Sequence, residues 1–303
     1  MGDKALYAAI EEQLPVFFQS WWLDIVCEQA WDVVMENGAS GVTVVWPYSY
    51  VRKAGMLLLR NPPLTPYLGP LQATRQPCTG AELNSLYKAL PRSAFRQWSC
   101  MPGVSYGEWF AAQGLSCEKK RTYLLDLQLS EDALWNAIHP KRKNAIRKAQ
   151  QDLLVDASFP ELKTFIEWQS ASFTAKGKPY PYSASLLQQL MQTGARKGCS
   201  RAYTARNAAG EIQAAIWLVQ DKTTIYYLLS ATPEQTHRGA VSLLLWEAIV
   251  KAKKQGLSIF DFEGSMDDDI AHFFKRFGGK EACYEAFQKT DSIIWKLKQR
   301  IAG

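Results

Sequence analysis

Histidine is scarce in this chain, with three copies in 303 residues. Six cysteines are present, Cys27, Cys78, Cys100, Cys117, Cys199 and Cys283, but no two form a Cys-x-x-Cys pair. Structural zinc modules need His and Cys at short, repeated spacings, so no metal site is expected. A disulfide framework is not expected either in a chain of this length without an export signal, and the thiols read as buried or inert. The opening MGDKALYAAIEEQLPVFF carries acids at Asp3, Glu11 and Glu12. It lacks the basic start and apolar run of a secretory signal, which points to the cytoplasm. No window approaches the roughly 20 uninterrupted apolar residues of a membrane span. Internal repeats of 20–50 residues and low-complexity tracts are also lacking.

What is present is a globular composition: 47% apolar, 12% aromatic and 21% charged residues. It excludes a disordered chain, a collagen and an acidic tail protein. The length suits one large domain or two ordinary ones. The net charge of +6 is unevenly spread. Residues 1–118 hold 8 Lys/Arg against 10 Asp/Glu, and residues 119–303 hold 27 against 19. The second part therefore favours an anionic partner, such as a phosphate-bearing cofactor or an RNA.

The first part predicts helices over 3–13, after Ser20 and over 80–90, with strands at 31–35, 42–48, 55–60 and 94–99. The four prolines of Asn61–Leu71 make that stretch a loop. The second part predicts strands at 122–127, 153–157, 199–206, 211–220, 223–230, 257–262 and 281–288. Helices fall between them at 130–137, 140–151, 160–175, 184–196, 239–255 and 267–277, with a last one at 291–301. This is a mixed α/β pattern with antiparallel strands in the middle of each half. No flexible linker marks the break near 118, so two packed halves, 1–118 and 119–303, are expected.

Four segments could carry chemistry. The helix 239–255 bears one apolar stripe, Val241, Leu244, Leu245, Ala248, Ile249 and Ala252. At its start, Arg238, Gly239 and Ala240 offer a guanidinium, a small residue and unpaired N–H groups, an arrangement that attracts phosphate. In LSIFDFEGSM, Asp261 and Glu263 share one face of the strand and Phe260 and Phe262 the other. Either acid could deprotonate an attacking amine; solvent or a salt bridge is the plainer role. The helix DDDIAHFFKRFGG buries Ile270, Phe273, Phe274 and Phe277, with Lys275 and His272 on a similar face. His272 reads as an ordinary, partly buried histidine. HPKRKNAIRKAQ, His139–Gln150, carries five Lys/Arg in twelve residues. It is a solvated basic helix or an RNA or phosphate contact.

The run HRGAVSLLLWEAIVKAKKQGLSIFDFEGSMDDDIAHFFKRFGGKEACYEAFQK, with HPKRKNAIRKAQQ upstream, resembles Fem-type transferases of the GNAT acyltransferase superfamily. The likeness covers 119–290 well and the first half more loosely. It implies tandem GNAT-like halves, each a mostly antiparallel central sheet flanked by helices, with the donor site in 119–303. It implies direct transfer of an acyl group to an amine, with strands 223–230 and 257–262 splayed to admit the donor. In members that use acyl-CoA the pyrophosphate rests on the loop before a helix, here Gln235, His237, Arg238, Gly239, Ala240 and Ser242. This loop departs from the usual Arg/Gln-x-x-Gly-x-Gly/Ala pattern, because Arg238 stands directly before Gly239 and Ser242 replaces a small residue. Fem-type relatives share the altered loop and use aminoacyl-tRNA. They also carry a Phe-Lys pair, matched by Phe274 and Lys275, whose lysine offsets charge on the tetrahedral oxygen. The long coiled-coil insertion of some relatives has no counterpart here.

The expected activity is therefore acyl-CoA-dependent acylation of an amine on a small molecule, sugar or peptide. Lys275, Glu263 and Asp261 are the catalytic candidates. Tyr67, Lys176 and Tyr180, in loops rich in Pro or Gly, are candidates for the acceptor side. The alternatives are aminoacyl-tRNA-dependent transfer to a peptidoglycan precursor or peptide, and a catalytically inactive binding module. No DNA partner is expected.

Overall fold

The computed structural model describes residues 4–38, 41–264 and 267–302. The chain forms two compact units, Met1–Arg121 with Ala282–Gly303, and Thr122–Glu281. The division expected at 118 falls at 121, and residues 282–303 group with the first unit rather than with 119–281. Strand pairing is the cause, as described for β12 below.

In the first unit the order is α1 (Lys4–Ile10), α2 (Ser20–Val26), β1 (Trp31–Asn37), β2 (Thr43–Lys53), β3 (Met56–Leu59), β4 (Leu71–Gln72), α3 (Gly80–Ala89), β5 (Phe95–Ser99) and α4 (Gly107–Ala112). The helix expected over 3–13 gives way to a 3-10 turn at Glu11–Gln13 just before Pro15, and Asp3 lies outside the described residues. Helix α4 has six residues, too few to show a helical period. α3 is closed by a capping box, in which the Thr79 hydroxyl accepts from Glu82 N–H and the Glu82 carboxylate accepts from Thr79 N–H. β12 (Lys280–Thr290) leads back into this unit and pairs antiparallel with β5, Ala286 opposite Ser99 and Thr290 opposite Phe95. The last helix is α11 (Ile293–Ala302). The core is aromatic: Trp46, Trp98, Phe110 and Phe287 meet with ring centroids 4.5–6.4 Å apart.

The second unit continues from β6 (Ser116–Asp126) through α5 (Glu131–Ala137), α6 (Pro140–Asp152), β7 (Leu153–Asp156), α7 (Leu162–Ala175), α8 (Ala184–Arg196), β8 (Ser200–Asn207), β9 (Ile212–Gln220), β10 (Thr224–Ala231), α9 (Ala240–Lys254), β11 (Ile259–Asp261) and α10 (Asp268–Lys275). Its strands lie in the order β6-β11-β10-β9-β8-β7. All neighbours are antiparallel except β10 and β11. Both units thus show the mixed, mostly antiparallel architecture expected. The expected apolar stripe of α9 is buried: Leu244, Leu245, Ala248, Ile249 and Ala252 join a core with β6, β8, β9, β10, α6 and α10.

Side chains at the helix starts explain where the helices begin. Pro140 occupies the first turn of α6, and the His139 imidazole accepts from Lys141 N–H. Asp267 accepts from Asp269 and Ile270 N–H at the start of α10. Gly239 precedes α9 for a packing reason: a Cβ there would lie 2.3 Å from the Ala145 carbonyl oxygen and 2.9 Å from the Ala149 Cβ, both on α6. Gly239→Ala is expected to force α6 and α9 apart and destabilise the protein by about 1–3 kcal/mol. Urea denaturation measures this; an unchanged midpoint would show that the two helices are not in close contact.

Candidate active site

The parallel ladder of β10 and β11 is short. Thr224, Ile225 and Tyr226 face Ile259, Phe260 and Asp261, and there it ends. β10 runs on to Ala231, whereas the chain after Asp261 turns away through Glu263, whose φ is +57°. A cleft of ≈ 760 Å³ opens where they part, with Tyr227–Ser230 on one wall and Phe262–Gly264 on the other. The splaying expected of residues 223–230 and 257–262 is therefore present. On the opposite edge of β10 the register with β9 shifts between Tyr227 and Leu229, leaving Leu228 as the extra residue of a bulge. Past Tyr226, the edge of β10 that faces the cleft has no strand partner among the described residues. Its peptide groups can therefore meet a ligand.

Glu263 is the chemically distinctive group in this cleft. Its Oε1 is closed off from solvent and has no hydrogen-bond partner among the described residues. Burial, and then the negative charge of Asp261, push its carboxyl well above the usual carboxylate range. Asp261 is only 2% exposed; it accepts from the Thr122 hydroxyl at 2.5 Å and from Glu263 N–H at 2.8 Å. The two acids do not share a strand face as expected. β11 stops at Asp261, and the left-handed backbone at Glu263 breaks the alternation that a longer strand would impose. Glu263 consequently lines the cleft, and Asp261 is held beneath it.

Aromatic rings build one wall. Phe274 stacks on Phe262 with centroids 5.1 Å apart and meets the Tyr227 ring edge-on at 5.9 Å. At another side the start of α9 enters the cleft through Arg238, Val241 and Ser242. Ala240 N–H reaches the His237 carbonyl and Leu243 N–H the Gly239 carbonyl, both at 2.9 Å; among the described residues the N–H groups of Val241 and Ser242 make no such bond. The buried Ser242 hydroxyl accepts from Arg142 Nη1 at 2.9 Å. The Arg142 guanidinium lies 4.1 Å over the Phe273 ring, and its buried Nε has no partner among the described residues. Burial and the neighbouring Arg276 lower its pKa.

The remaining candidates fall outside the cleft lining. His237 shapes the loop: Nε2 is 3.2 Å from Asp152, Nδ1 accepts from Gly239 N–H, and its own N–H donates to Gln213. Gln235 is exposed, and Gly239 and Ala240 are buried against α6 and the core. Lys275 is exposed at the end of α10, next to Phe274 but not lining the cleft. Lys176 pairs with Asp267 at 2.9 Å. Tyr180 donates to Gln169 Oε1, and Gln169 Nε2 donates to the Ser230 carbonyl at 3.1 Å, so Tyr180 stands behind the wall. Tyr67 belongs to the first unit, fully buried between Phe17 and Tyr284, which makes it a core residue rather than a loop contact for an acceptor. His272 is exposed. Gln169, Phe173, Tyr182 and Arg142 line or support the cleft without having been singled out by the sequence. Only Arg142 left a trace, as one of five cations. Among the described residues no group of three His, Cys, Asp or Glu could hold a metal ion, and no helix is long and apolar enough to cross a membrane.

The family model described as "Acetyltransferase (GNAT) domain" matches residues 139–276, the stretch that contains the parted strands and α9. A search of curated proteins finds no match to the sequence. The crystal structure of FemX superposes with a TM-score of 0.70 at 11% identity, over 94% of this chain and 96% of that one. A conserved protein of unknown function from Bacteroides thetaiotaomicron VPI-5482 gives a TM-score of 0.54 at 12% identity, over 93% and 92% of the two chains. At such identities the structural likeness is one of fold. The GNAT match is confined to residues 139–276, less than half of the chain. Across its length the chain takes the FemX fold, in keeping with the Fem-type resemblance.

The buried Glu263 carboxyl ties stability to pH. Its folded form keeps a proton to higher pH than the unfolded chain, so stability falls as pH rises from about 4.5 through the folded value. Glu263→Gln is expected to match the wild type near pH 4 and to melt at a higher temperature near pH 8. Thermal melts across that range check it; parallel curves would mean the carboxyl is solvated.

Proposed function

We propose that this protein is an N-acyltransferase that moves an acyl group from an activated, phosphate-bearing donor to an amine by direct attack. The observation that carries the reading is the buried Glu263 carboxyl, whose Oε1 has no hydrogen-bond partner among the described residues, at the point where β10 and β11 separate. A thioester or ester carbonyl would lie along the open edge of β10, whose peptide groups past Tyr226 supply hydrogen bonds to a developing oxyanion. The amine nitrogen bonds to the carbonyl carbon, the C–S or C–O bond breaks, and the amine proton passes to Glu263 and on to the departing thiol or hydroxyl. A carboxyl held above its ordinary pKa suits that exchange near neutral pH. Asp261 acts by raising Glu263. Lys275 enters as an exposed cation beside the cleft, where water screens its field on the reacting oxygen.

The donor's phosphates fit the opposite end. The N–H groups of Val241 and Ser242, without a backbone partner among the described residues, the Arg238 side chain and the Arg142 guanidinium supply positive charge and donors there. Acyl-CoA is the donor we propose. One observation favours aminoacyl-tRNA as the second reading: Lys141, Arg147 and Lys148 of α6 are exposed, and Arg147 and Lys143 lie over the Trp135 ring at 5.4 and 5.9 Å. Tyr182, Gln169 and Asp269 line the part of the cleft we assign to the acceptor amine, with Tyr180 and Lys176 behind them. No observation favours an inactive binding module. The cytoplasm, where both donors are made, is the setting we assign.

The test is thermal stabilisation by acetyl-CoA, longer acyl-CoA and charged tRNA, followed by turnover on a panel of amino sugars, amino acids and short peptides. A ligand at 100 times its Kd stabilises the fold by ~2.7 kcal/mol. Absence of any shift would turn the reading to a binding module. Glu263→Gln should lower kcat by about 10²–10⁴ with little change in the donor KM. Arg238→Ala should raise that KM roughly tenfold, a loss of ~1.4 kcal/mol. Lys275→Ala should lower kcat less than Glu263→Gln. Wild-type turnover by Glu263→Gln would refute the assignment.

A further inference from the structure

Far along the sequence from the cleft, helix α11 turns its apolar side outward. Ile293 is 75% exposed, Ile294 63% and Leu297 54%, whereas Trp295 is half-buried and its indole Nε1 is shut from solvent. At about 100° per residue these three residues span an arc of about 100°, the width of stripe that a surface helix normally buries. Isolated exposed leucines are ordinary, but three large aliphatic residues on one face form a patch. The start of the helix is tied down: Asp291 and Ser292 N–H both donate to the Ala94 carbonyl, at 3.0 and 3.2 Å. Its sequence, IIWKLKQRIA, holds three cations, Lys296, Lys298 and Arg300, and no acid. Asp291, the acid just before it, is engaged by Arg96 at 3.2 Å and Lys289 at 3.5 Å.

We infer that α11 docks this protein onto an anionic lipid surface. An apolar stripe accompanied by Lys and Arg is the pattern of a helix lying in the headgroup layer, with aliphatic side chains in the acyl boundary and cations among the phosphates. Ten residues reach about 15 Å, so α11 lies on a bilayer and does not cross it. A second copy fits less well, since the segment carries only cations and would meet its own charge. A nucleic acid would leave the aliphatic face uncovered. This inference is independent of the transfer chemistry.

The experiment is co-sedimentation of the full chain with phosphatidylcholine vesicles, with and without about 30% phosphatidylglycerol. Binding to the anionic vesicles should be roughly a hundredfold tighter, since three cations act together, and should weaken in about 0.5 M NaCl. Replacing Lys296, Lys298 and Arg300 with Glu should abolish the preference for anionic lipid. Combining Ile293→Ser, Ile294→Ser and Leu297→Ser should reduce binding at least about tenfold with an unchanged melting temperature. Hydrogen exchange of the unmodified protein supplies a readout free of folding effects: anionic vesicles should slow the α11 amides selectively. Equal binding to both vesicles, no binding, or unslowed α11 amides would overturn the inference. So would a dimer that the serine substitutions convert to monomer without any lipid binding, which would make the face a self-interface.

Discussion

Three residue pairs hold β10 against β11, and beyond Tyr226 and Asp261 the two chains separate. Hydrogen bonding that a continuous parallel ladder would satisfy internally is left on the β10 edge, facing a cleft. The bulge at Leu228 and the left-handed backbone at Glu263 sit on opposite walls of that opening. Each is a departure from regular strand geometry of the kind that re-aims groups at a site. Closing the ladder by a further pair or two would fill the cleft and leave Glu263 without access to a ligand.

The charges around this opening are separated by position. The acid lies where the strands part, buried and repelled by Asp261. The cations lie where α9 begins, with Arg142 held by Ser242 and the Phe273 ring. A substrate with a phosphate at one end and a reactive carbonyl at the other meets complementary groups along a single cleft. Gln169 contributes in a quieter way. It is 6% exposed and bonds the Ser230 carbonyl, so part of the open β10 edge is satisfied by a side chain instead of a strand.

Much of the fold was legible. β8, β9 and β10 were legible as three strands in series, and the stripe from Val241 to Ala252 marked α9. α4 was missed because six residues carry no period. The return of β12 to the first unit was missed because strand partners distant in sequence leave no local mark. In the site, Arg238, Ser242, Glu263 and Phe274 were legible as residues beside a strand end or helix start. Tyr67 was misjudged because a proline-rich loop gives no sign of being buried under Phe17 and Tyr284.

By itself, the sequence determined the order and type of most elements, the helix starts at Pro140 and Asp267, and the residue types on which amine acylation could draw. These follow from local propensity and side-chain period, which act over a few residues. Tertiary structure alone decided which of two neighbouring acids faces the cleft, that Arg142 joins Ser242 across 100 positions, and that the apolar side of α11 points outward. Those outcomes depend on where β11 stops and what packs behind each side chain, and no local pattern encodes either.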